Sequence, residues 1–542
     1  MDYEKRERQY IQRNFNEVYH CTLNPDGPGV VRIYLVPPVM EEGDDRIGSV
    51  AIINGQDVIP VNKSWSILLI EFIRAVNRYD GKAVTDKDVE DIQAATCKAV
   101  RKVYPFVSKK RLRHDIYKIM KTFSQVARGD AVDERIEYIP LGAYAPYMRA
   151  PHRMDLMVSA MTTNNRWNCN QKCVHCYAAG QEQSSEEELS TEEWKAIIDR
   201  CRKAGVTQVT FTGGEPTMRD DLFDLIDYAR WFVTRLNTNG IRLTREYCDN
   251  LRKASIDSVQ ITFYSHDEAV HNELVGAARY ADTVAGIENA LAAGLNLSVN
   301  TPLCTLNRDY VKTLEFLLSK GVTYVTCSGL ITTGNAATPE SERMQLESDE
   351  LKQILRDAVA FCHANGMEIS FTSPGWVEPG FCNSLGLNEP SCGACLSNMA
   401  ITPGGHVAPC QSWLSGCVLG DMRTDDWEGI WNGERCKAIR SFSAKMDGSC
   451  PLRIYAGEPL DEAEGEYEGK PLGEPESRTA GGPESENADE PLGEFGSECA
   501  GEPMGVPGGE YADEPMGESG SEYAGDSESE YAGEPLDGLG NE

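Results

Sequence analysis

From Met154 to Ser328 the chain alternates short apolar runs with amphipathic stretches, and this alternation restricts the fold more than any other feature of the sequence. The runs Leu156 to Ala160, Gln208 to Thr212, Val233 to Asn237, Ser258 to Phe263, Leu295 to Asn300 and Tyr324 to Ser328 have the length and composition of strands. A capping box, Ser190 with Glu193, opens a helix between the first two, with Trp194, Ile197, Ile198 and Cys201 on its apolar face. Helical spacing recurs at 222–230, 245–254, 281–293 and 310–320. Strand and helix in strict turn predict an α/β fold, a partial (β/α)6 barrel over 151–372, with its chemistry at the C-terminal ends of the strands.

Charge sets the rest of the chain apart. The 542 residues carry 52 Lys plus Arg against 85 Asp plus Glu, a formal charge of −33 that excludes a generic nucleic-acid or anionic-membrane binder. Residues 454–542 hold 26 acidic and 2 basic side chains, so the body before them has an ordinary charge. This last segment repeats a Tyr-Ala-Gly-Glu-Pro-Leu unit, at Tyr455, Tyr511 and Tyr531 and with Cys499 in place of Tyr. Its few aliphatic residues cannot offset the entropy of ordering, and it is expected to be disordered. The charged N-terminus is followed by no apolar signal segment, and no run reaches membrane-spanning length, which predicts a cytoplasmic location.

Residues 1–150 contain a hairpin, Ser49 to Ile53 and Val58 to Val61 around an Asn54-Gly55 turn, then helical patterns at 64–78, 86–104 and 109–127. Residues 373–453 are rich in Gly, Pro and Cys, as suits a compact metal-held module.

Eighteen cysteines in a reducing compartment point to metal ligands and buried thiols rather than disulfides. Cys169, Cys173 and Cys176 follow the first strand at CxxxCxxC spacing. Three thiolates so spaced reach three irons of one [4Fe-4S] cube and leave the fourth without a protein ligand; zinc or unrelated thiols is the other reading. Thr212-Gly213-Gly214-Glu215-Pro216 ends the second strand, where paired glycines permit close backbone approach and a carboxylate complements an ammonium. Asn237 and Asn239 end the third strand, Gln260 and Ser265 the fourth and Asn300 the fifth, each open to a second reading as a turn or cap residue.

On the triad and the GGEP element the chain resembles the radical S-adenosylmethionine superfamily over about residues 155 to 372. The resemblance implies an open iron that chelates S-adenosylmethionine, and reductive cleavage of that molecule to a 5′-deoxyadenosyl radical. It implies Tyr177 near the adenine, Gly213, Gly214, Glu215 and Pro216 around the methionyl ammonium, and Asn237, Ser265 and Asn300 toward the ribose and carboxylate. It also implies an external electron donor of flavodoxin or ferredoxin type. Cys392-Gly-Ala-Cys395, then Gly405 and Cys410, resemble the opening of the SPASM/twitch extension. That likeness implies an auxiliary [4Fe-4S] cluster on Cys392, Cys395, Cys410 and Cys450, with buried thiols or a zinc knuckle as the alternative.

The N-terminal hairpin and helices resemble the winged-helix element with which maturases of ribosomally made peptides bind a precursor as an added strand. An unrelated helical cap is the plainer reading. Together these likenesses imply a peptide maturase that forms a thioether between a Cys sulfur and a carbon. Carbon–carbon crosslinking, epimerisation, formylglycine maturation and a non-enzymatic Fe–S scaffold are the alternatives, and no catalytic side chain is singled out.

Overall fold

The computed structural model describes residues 2–23, 31–37, 49–55, 57–79, 84–130, 132, 140–164, 166–445 and 448–454. The acidic repeats, from residue 455 onward, lie outside the described residues. No described helix is long and apolar enough to cross a membrane.

The N-terminal part opens with helix α1 (Asp2–Asn14), followed by strands β1 (Tyr19–Leu23), β2 (Val31–Val36), β3 (Ser49–Ile53) and β4 (Asp57–Val61). These form one antiparallel sheet in the order β1-β2-β3-β4. The β3–β4 turn places Asn54 and Gly55 at φ of 50° and 75°, the left-handed pair that a tight hairpin requires. Helices α2 (Lys63–Val76), α3 (Asp86–Val103) and α4 (Lys109–Arg128) follow, and each starts on a side-chain cap, Asn62, Thr85 and Ser108 respectively. The expected hairpin is thus the second half of a four-stranded sheet. The reading from sequence missed α1, whose charged run has little apolar face, and also missed β1 and β2.

Seven strands make the barrel wall. β5 (Arg153–Ser159), β8 (Gln208–Gly213), β9 (Val233–Thr238), β10 (Ser258–Thr262), β11 (Leu297–Pro302), β12 (Tyr324–Ser328) and β13 (Glu368–Phe371) lie side by side and parallel. A two-residue ribbon, β6 (Thr162–Thr163) with β7 (Arg166–Trp167), follows β5. The seventh wall strand, β13, extends the six-stranded expectation; its four residues after the helix Ser348–Ala364 are too short to stand out by pattern. Side chains alternate along every strand. Leu156, Phe211, Leu236, Ile261, Val299 and Val325 face outward into the helix-covered core and are fully buried. Their neighbours Thr210, Arg235, Asn237, Gln260, Asn300 and Thr326 point inward and leave a polar barrel interior.

On the other side of β5, strand β14 (Asn398–Ile401) adds in parallel, and β15 (His406–Ala408) and β16 (Gly420–Asp421) follow antiparallel. The cysteine-rich segment 373–453 is therefore joined to the barrel by a strand ladder, with Arg153 opposite Asn398 and Leu156 opposite Ile401.

Arg32 of β2 fixes the N-terminal sheet to the barrel. Its guanidinium donates to Arg230 O at 2.8 Å, to Phe232 O, and to Asp257 Oδ1 at 2.8 Å, and Asp257 also accepts from Thr234 N at 2.8 Å. Beside it, His20 stacks on Tyr34 with ring centroids 4.6 Å apart and lies 5.4 Å from Trp231. Arg149 completes the seam by donating to Phe15 O, Asn16 O and Pro37 O.

Replacing Arg32 by Ala strands a carboxylate and two carbonyls, and we expect a loss on the order of 3 kcal/mol in denaturant unfolding. Burial and the nearby Arg32 and Arg202 hold His20 down to about 3, and burial holds His152 and His271 down to about 4. These rings fold neutral, so their contribution is complete above the ordinary histidine value and is lost as pH falls toward 4. Thermal unfolding should show each costing on the order of 1 kcal/mol per pH unit below about 6.5, saturating near the folded-state values.

Candidate active site

Cys169, Cys173 and Cys176 lie in the loop after the β6–β7 ribbon, and all three line a cavity of about 550 Å³ at the C-terminal end of the barrel. The loop is held from several sides. Lys172 N and Val174 N donate to Val275 O and Leu274 O at the end of the helix Glu268–Val275, each at 3.0 Å. Asn335 donates from its backbone N to Cys176 O at 2.9 Å and from Nδ2 to Cys173 O at 3.3 Å. Trp167 Nε1 donates to Gln171 O at 2.7 Å, and Asn239 Nδ2 donates to Asn170 Oδ1 at 2.6 Å, tying the loop to the end of β9. Burial pushes the Cys169 thiol up to about 12 and raises Cys176 as well.

Gly213 and Gly214 form the opposite rim. Gly213 has φ of 136°, and a Cβ there would stand 2.3 Å from Ser159 O; one on Gly214 would stand 2.9 Å from Ala160 O. The turn is pinned to β5 by Gly214 N donating to Ser159 O at 2.8 Å and Glu215 N to Ser159 Oγ at 3.1 Å. Only glycine permits this approach, which leaves the backbone bare toward the cavity.

Glu215, 2% exposed, is largely engaged within the chain. Its Oε1 accepts from Thr217 N at 3.1 Å and from the Thr217 and Thr238 hydroxyls at 2.6 Å each, and Oε2 accepts from Asn239 N at 2.8 Å. Burial raises its pKa and these donors oppose the rise. Three of these bonds fall on Oε1, so the group ties the ends of β8 and β9 together, while Oε2 accepts only from Asn239 among the described residues and keeps acceptor capacity beside the cavity.

Of the other sequence candidates, Tyr177, Asn237, Asn239, Gln260 and Asn300 also line the cavity. Asn237 Oδ1 is buried without a partner among the described residues, and Asn300 Oδ1 accepts from Thr326 Oγ1 at 2.8 Å. Pro216 and Ser265 are not among the lining residues. Ser265, 1% exposed, uses its hydroxyl to accept from Asp267 N at 3.0 Å, the turn reading of that residue. Lining residues that sequence reasoning passed over include Gln171, Tyr264, Arg153, Arg235 and Tyr324. Alternation along the strands, continued down β9 to Arg235 and to the first residues of β5 and β12, was the signal for the last three.

The C-terminal cysteines fall into two neighbouring groups. Cys392 and Cys450 are hydrogen-bonded with Cys410 close by, and Ser443 Oγ donates to Cys392 Sγ at 3.5 Å. Cys395 is hydrogen-bonded to Cys436 instead, with Cys417 and Cys410 close by. The expected set of Cys392, Cys395, Cys410 and Cys450 is thus brought into one region, but Cys395 turns toward a thiol that the spacing did not single out. Cys395 has φ of 53°, an uncommon conformation for a residue with a Cβ. No three His, Cys, Asp or Glu side chains among the described residues converge tightly enough for a single metal ion.

The loop of three thiols facing a bare glycine turn across one polar cavity, with Asn237 Oδ1 and Gln171 Nε2 buried and unpartnered, fits a cluster with a small polar molecule beside it. Gly213→Ala is expected to weaken S-adenosylmethionine binding by about tenfold or more, read by equilibrium dialysis, while iron at the three-cysteine loop is retained. Cys392→Ser should lower the iron content of anaerobically reconstituted protein by about four atoms per chain, measured by iron and sulfide assay.

Residues 168–318 match the Radical SAM superfamily, and residues 392–452 match SPASM, an iron–sulfur cluster-binding domain. An AdoMet-dependent heme synthase of Oleidesulfovibrio alaskensis is 27% identical over 304 residues, spanning 52% of this chain and 76% of that protein. The mycofactocin maturase MftC of Mycolicibacterium smegmatis is 25% identical over 338 residues, 56% of this chain and 81% of that one. Among solved structures, Streptococcus suis SuiB bound to S-adenosylmethionine superposes with a TM-score of 0.52 at 13% identity, covering 77% of this chain and 95% of SuiB, which shows a shared fold. The cysteine loop and the glycine turn therefore lie in a segment that matches the radical SAM superfamily, and the appended cysteines in one that matches the SPASM iron–sulfur domain; the chain is an enzyme that uses a [4Fe-4S] cluster and S-adenosylmethionine and carries auxiliary iron–sulfur binding.

Proposed function

We propose that the chain is a maturase of a ribosomally made peptide and that its product is a thioether between a Cys sulfur and a neighbouring carbon. The carrying observation is the single polar cavity shared by the three-cysteine loop, the Gly213-Gly214 backbone and the barrel interior. In this proposal Cys169, Cys173 and Cys176 hold the cluster, while the glycine turn, Tyr177, Asn237 and Asn300 contact S-adenosylmethionine. When bound, the two together would supply a 5′-deoxyadenosyl radical able to take hydrogen from an unactivated carbon; closing the thioether would then release the thiol proton and pass one electron to the auxiliary cluster. The chain's own residues set where that carbon stands and keep water from the reacting face. Glu215 acts as a positioning residue that fixes the rim, and Cys392, Cys410 and Cys450 provide an auxiliary cluster.

A peptide substrate is supported by the N-terminal sheet. Its two edges are β1 and β4, and Pro60 removes one backbone donor from β4, whereas β1 contains no proline. An extended precursor segment can add to the edge of β1 through main-chain hydrogen bonds. Support also comes from the maturase MftC and from SuiB, whose structure has been solved with the precursor peptide SuiA. An external electron donor of flavodoxin or ferredoxin type and a cytoplasmic location complete the proposal.

The test is mass spectrometry of a precursor peptide encoded beside this chain, after anaerobic incubation with reductant and S-adenosylmethionine. A mass lower by two hydrogens, with one free thiol lost to alkylation and neither change made by Cys169→Ala, is the expected result. Unchanged mass with an altered chiral centre points to epimerisation, and a hydrazide-reactive product points to formylglycine; either result replaces the thioether.

A further inference from the structure

The lower half of the barrel cavity holds charges that neither the cysteine loop nor the glycine turn uses. Arg153, at the start of β5, is ion-paired with Asp155, Nε to Oδ1 at 2.9 Å. Asp155 is 1% exposed, so this cation is neutralised in place. Strand register then sets Asp155 opposite Thr210 of β8, and Thr210 opposite Arg235 of β9.

Arg235 has no such partner. Its one hydrogen bond among the described residues runs from Nε to Ser258 Oγ at a long 3.5 Å, and it lines the cavity together with Arg153, Thr210, Tyr324 and Gln260. Thr210 is 1% exposed, and its hydroxyl is buried with no partner among the described residues. Glu215, the carboxylate among the lining residues, bonds Thr217, Thr238 and Asn239 at the upper rim. Desolvation and the field of Arg153 act against the charge on Arg235, while Tyr324 and Asp155 partly offset them.

A guanidinium fork and a hydroxyl, both short of acceptors in a confined polar cavity, match the geometry of a bidentate carboxylate. Arg235 is two residues below Asn237 on the same face of β9, about 7 Å deeper at the rise of a strand, and so lies beyond the rim residues assigned to the cofactor. We propose that the barrel floor is an anion subsite in which Arg235, with Thr210 beside it, receives a side-chain or terminal carboxylate of the peptide being modified. The inference rests on the peptide-maturase reading for the nature of its ligand, and it narrows the substrate to peptides with an acidic group near the reacting residue.

The test uses the full chain, reconstituted anaerobically, and two probes, acetyl-Gly-Glu-Gly-amide and acetyl-Gly-Gln-Gly-amide, titrated by saturation-transfer NMR. The Glu probe should bind about tenfold more tightly or better. Arg235→Gln should abolish that preference, Arg235→Lys should keep part of it, and Asp155→Asn, which releases Arg153, should increase it. S-adenosylmethionine affinity should be the same in the Arg235→Gln protein. Equal binding of the two probes by the native chain overturns the inference. So does a preference that survives Arg235→Gln, or a variant whose sole defect is weaker S-adenosylmethionine binding or an altered auxiliary-cluster signal. Formation of 5′-deoxyadenosine and modified peptide is scored separately. A chain that modifies peptide with no Glu preference loses this inference alone, and one that shows the Arg235-dependent preference but modifies no peptide keeps the subsite and loses the maturase reading.

Discussion

The parallel pairing of β14 with β5 is the constraint on which the rest of the molecule depends. β5 leads through the β6–β7 ribbon into the three-cysteine loop, and β14 sits between Cys395 and Cys410. One hydrogen-bonded ladder therefore runs beneath both thiol-bearing regions, and its spacing of about 4.8 Å per strand is stiff. A flexible linker between two metal-binding modules would let their separation fluctuate, whereas a shared sheet sets it once, at folding.

Around that ladder the chain builds polar surface where most sheets build apolar surface. Thr210, Asn237, Gln260, Asn300 and Thr326 project into the barrel, and two of their groups, Thr210 Oγ1 and Asn237 Oδ1, have no partner among the described residues. Burying such groups is unfavourable unless something else supplies the missing bonds. Apolar burial on the outer face, under the helices, offsets the cost. The inner face is thus a built site whose unmet hydrogen-bonding capacity is itself a specification of what enters. Glu215 shows a different arrangement, with much of its capacity met by Thr217, Thr238 and Asn239 at two strand ends.

Much of this was legible in the sequence. The six barrel strands stand within a few residues of their expected positions, because β-branched runs between capped helices leave few alternatives. The hairpin turn at Asn54-Gly55 and the three helices after it were equally plain. What escaped was either locally weak or settled by distance. α1 is mostly charged, β13 is four residues long, and β2 is an apolar run broken only by Arg32, with no alternation to read. Cys169, Cys173 and Cys176 are adjacent in sequence and so adjacent in space. The pairing of Cys395 with Cys436 spans β14, β15, β16 and the helix Trp427–Asn432, a path whose course no spacing rule conveys. Ser265 shows that a polar residue just past a strand can be spent on the turn itself. Arg235 was passed over for the converse reason: a charge within a strand reads as solvent-facing until the barrel is known to be polar inside.

Gly276 links two parts of the chain that the sequence keeps far apart. A Cβ at this position would stand 2.3 Å from Lys172 O, in the middle of the cysteine loop, and its φ of 60° caps the helix that accepts the loop's amides. The loop and this helix end are therefore a matched pair separated in sequence by β8, β9 and β10. Shuffling segments between homologous genes with a crossover anywhere from 180 to 265 would unite a loop from one parent with a helix end from another. Chimeras in this superfamily should accordingly keep both pieces from the same parent, even though one of them contributes no ligand.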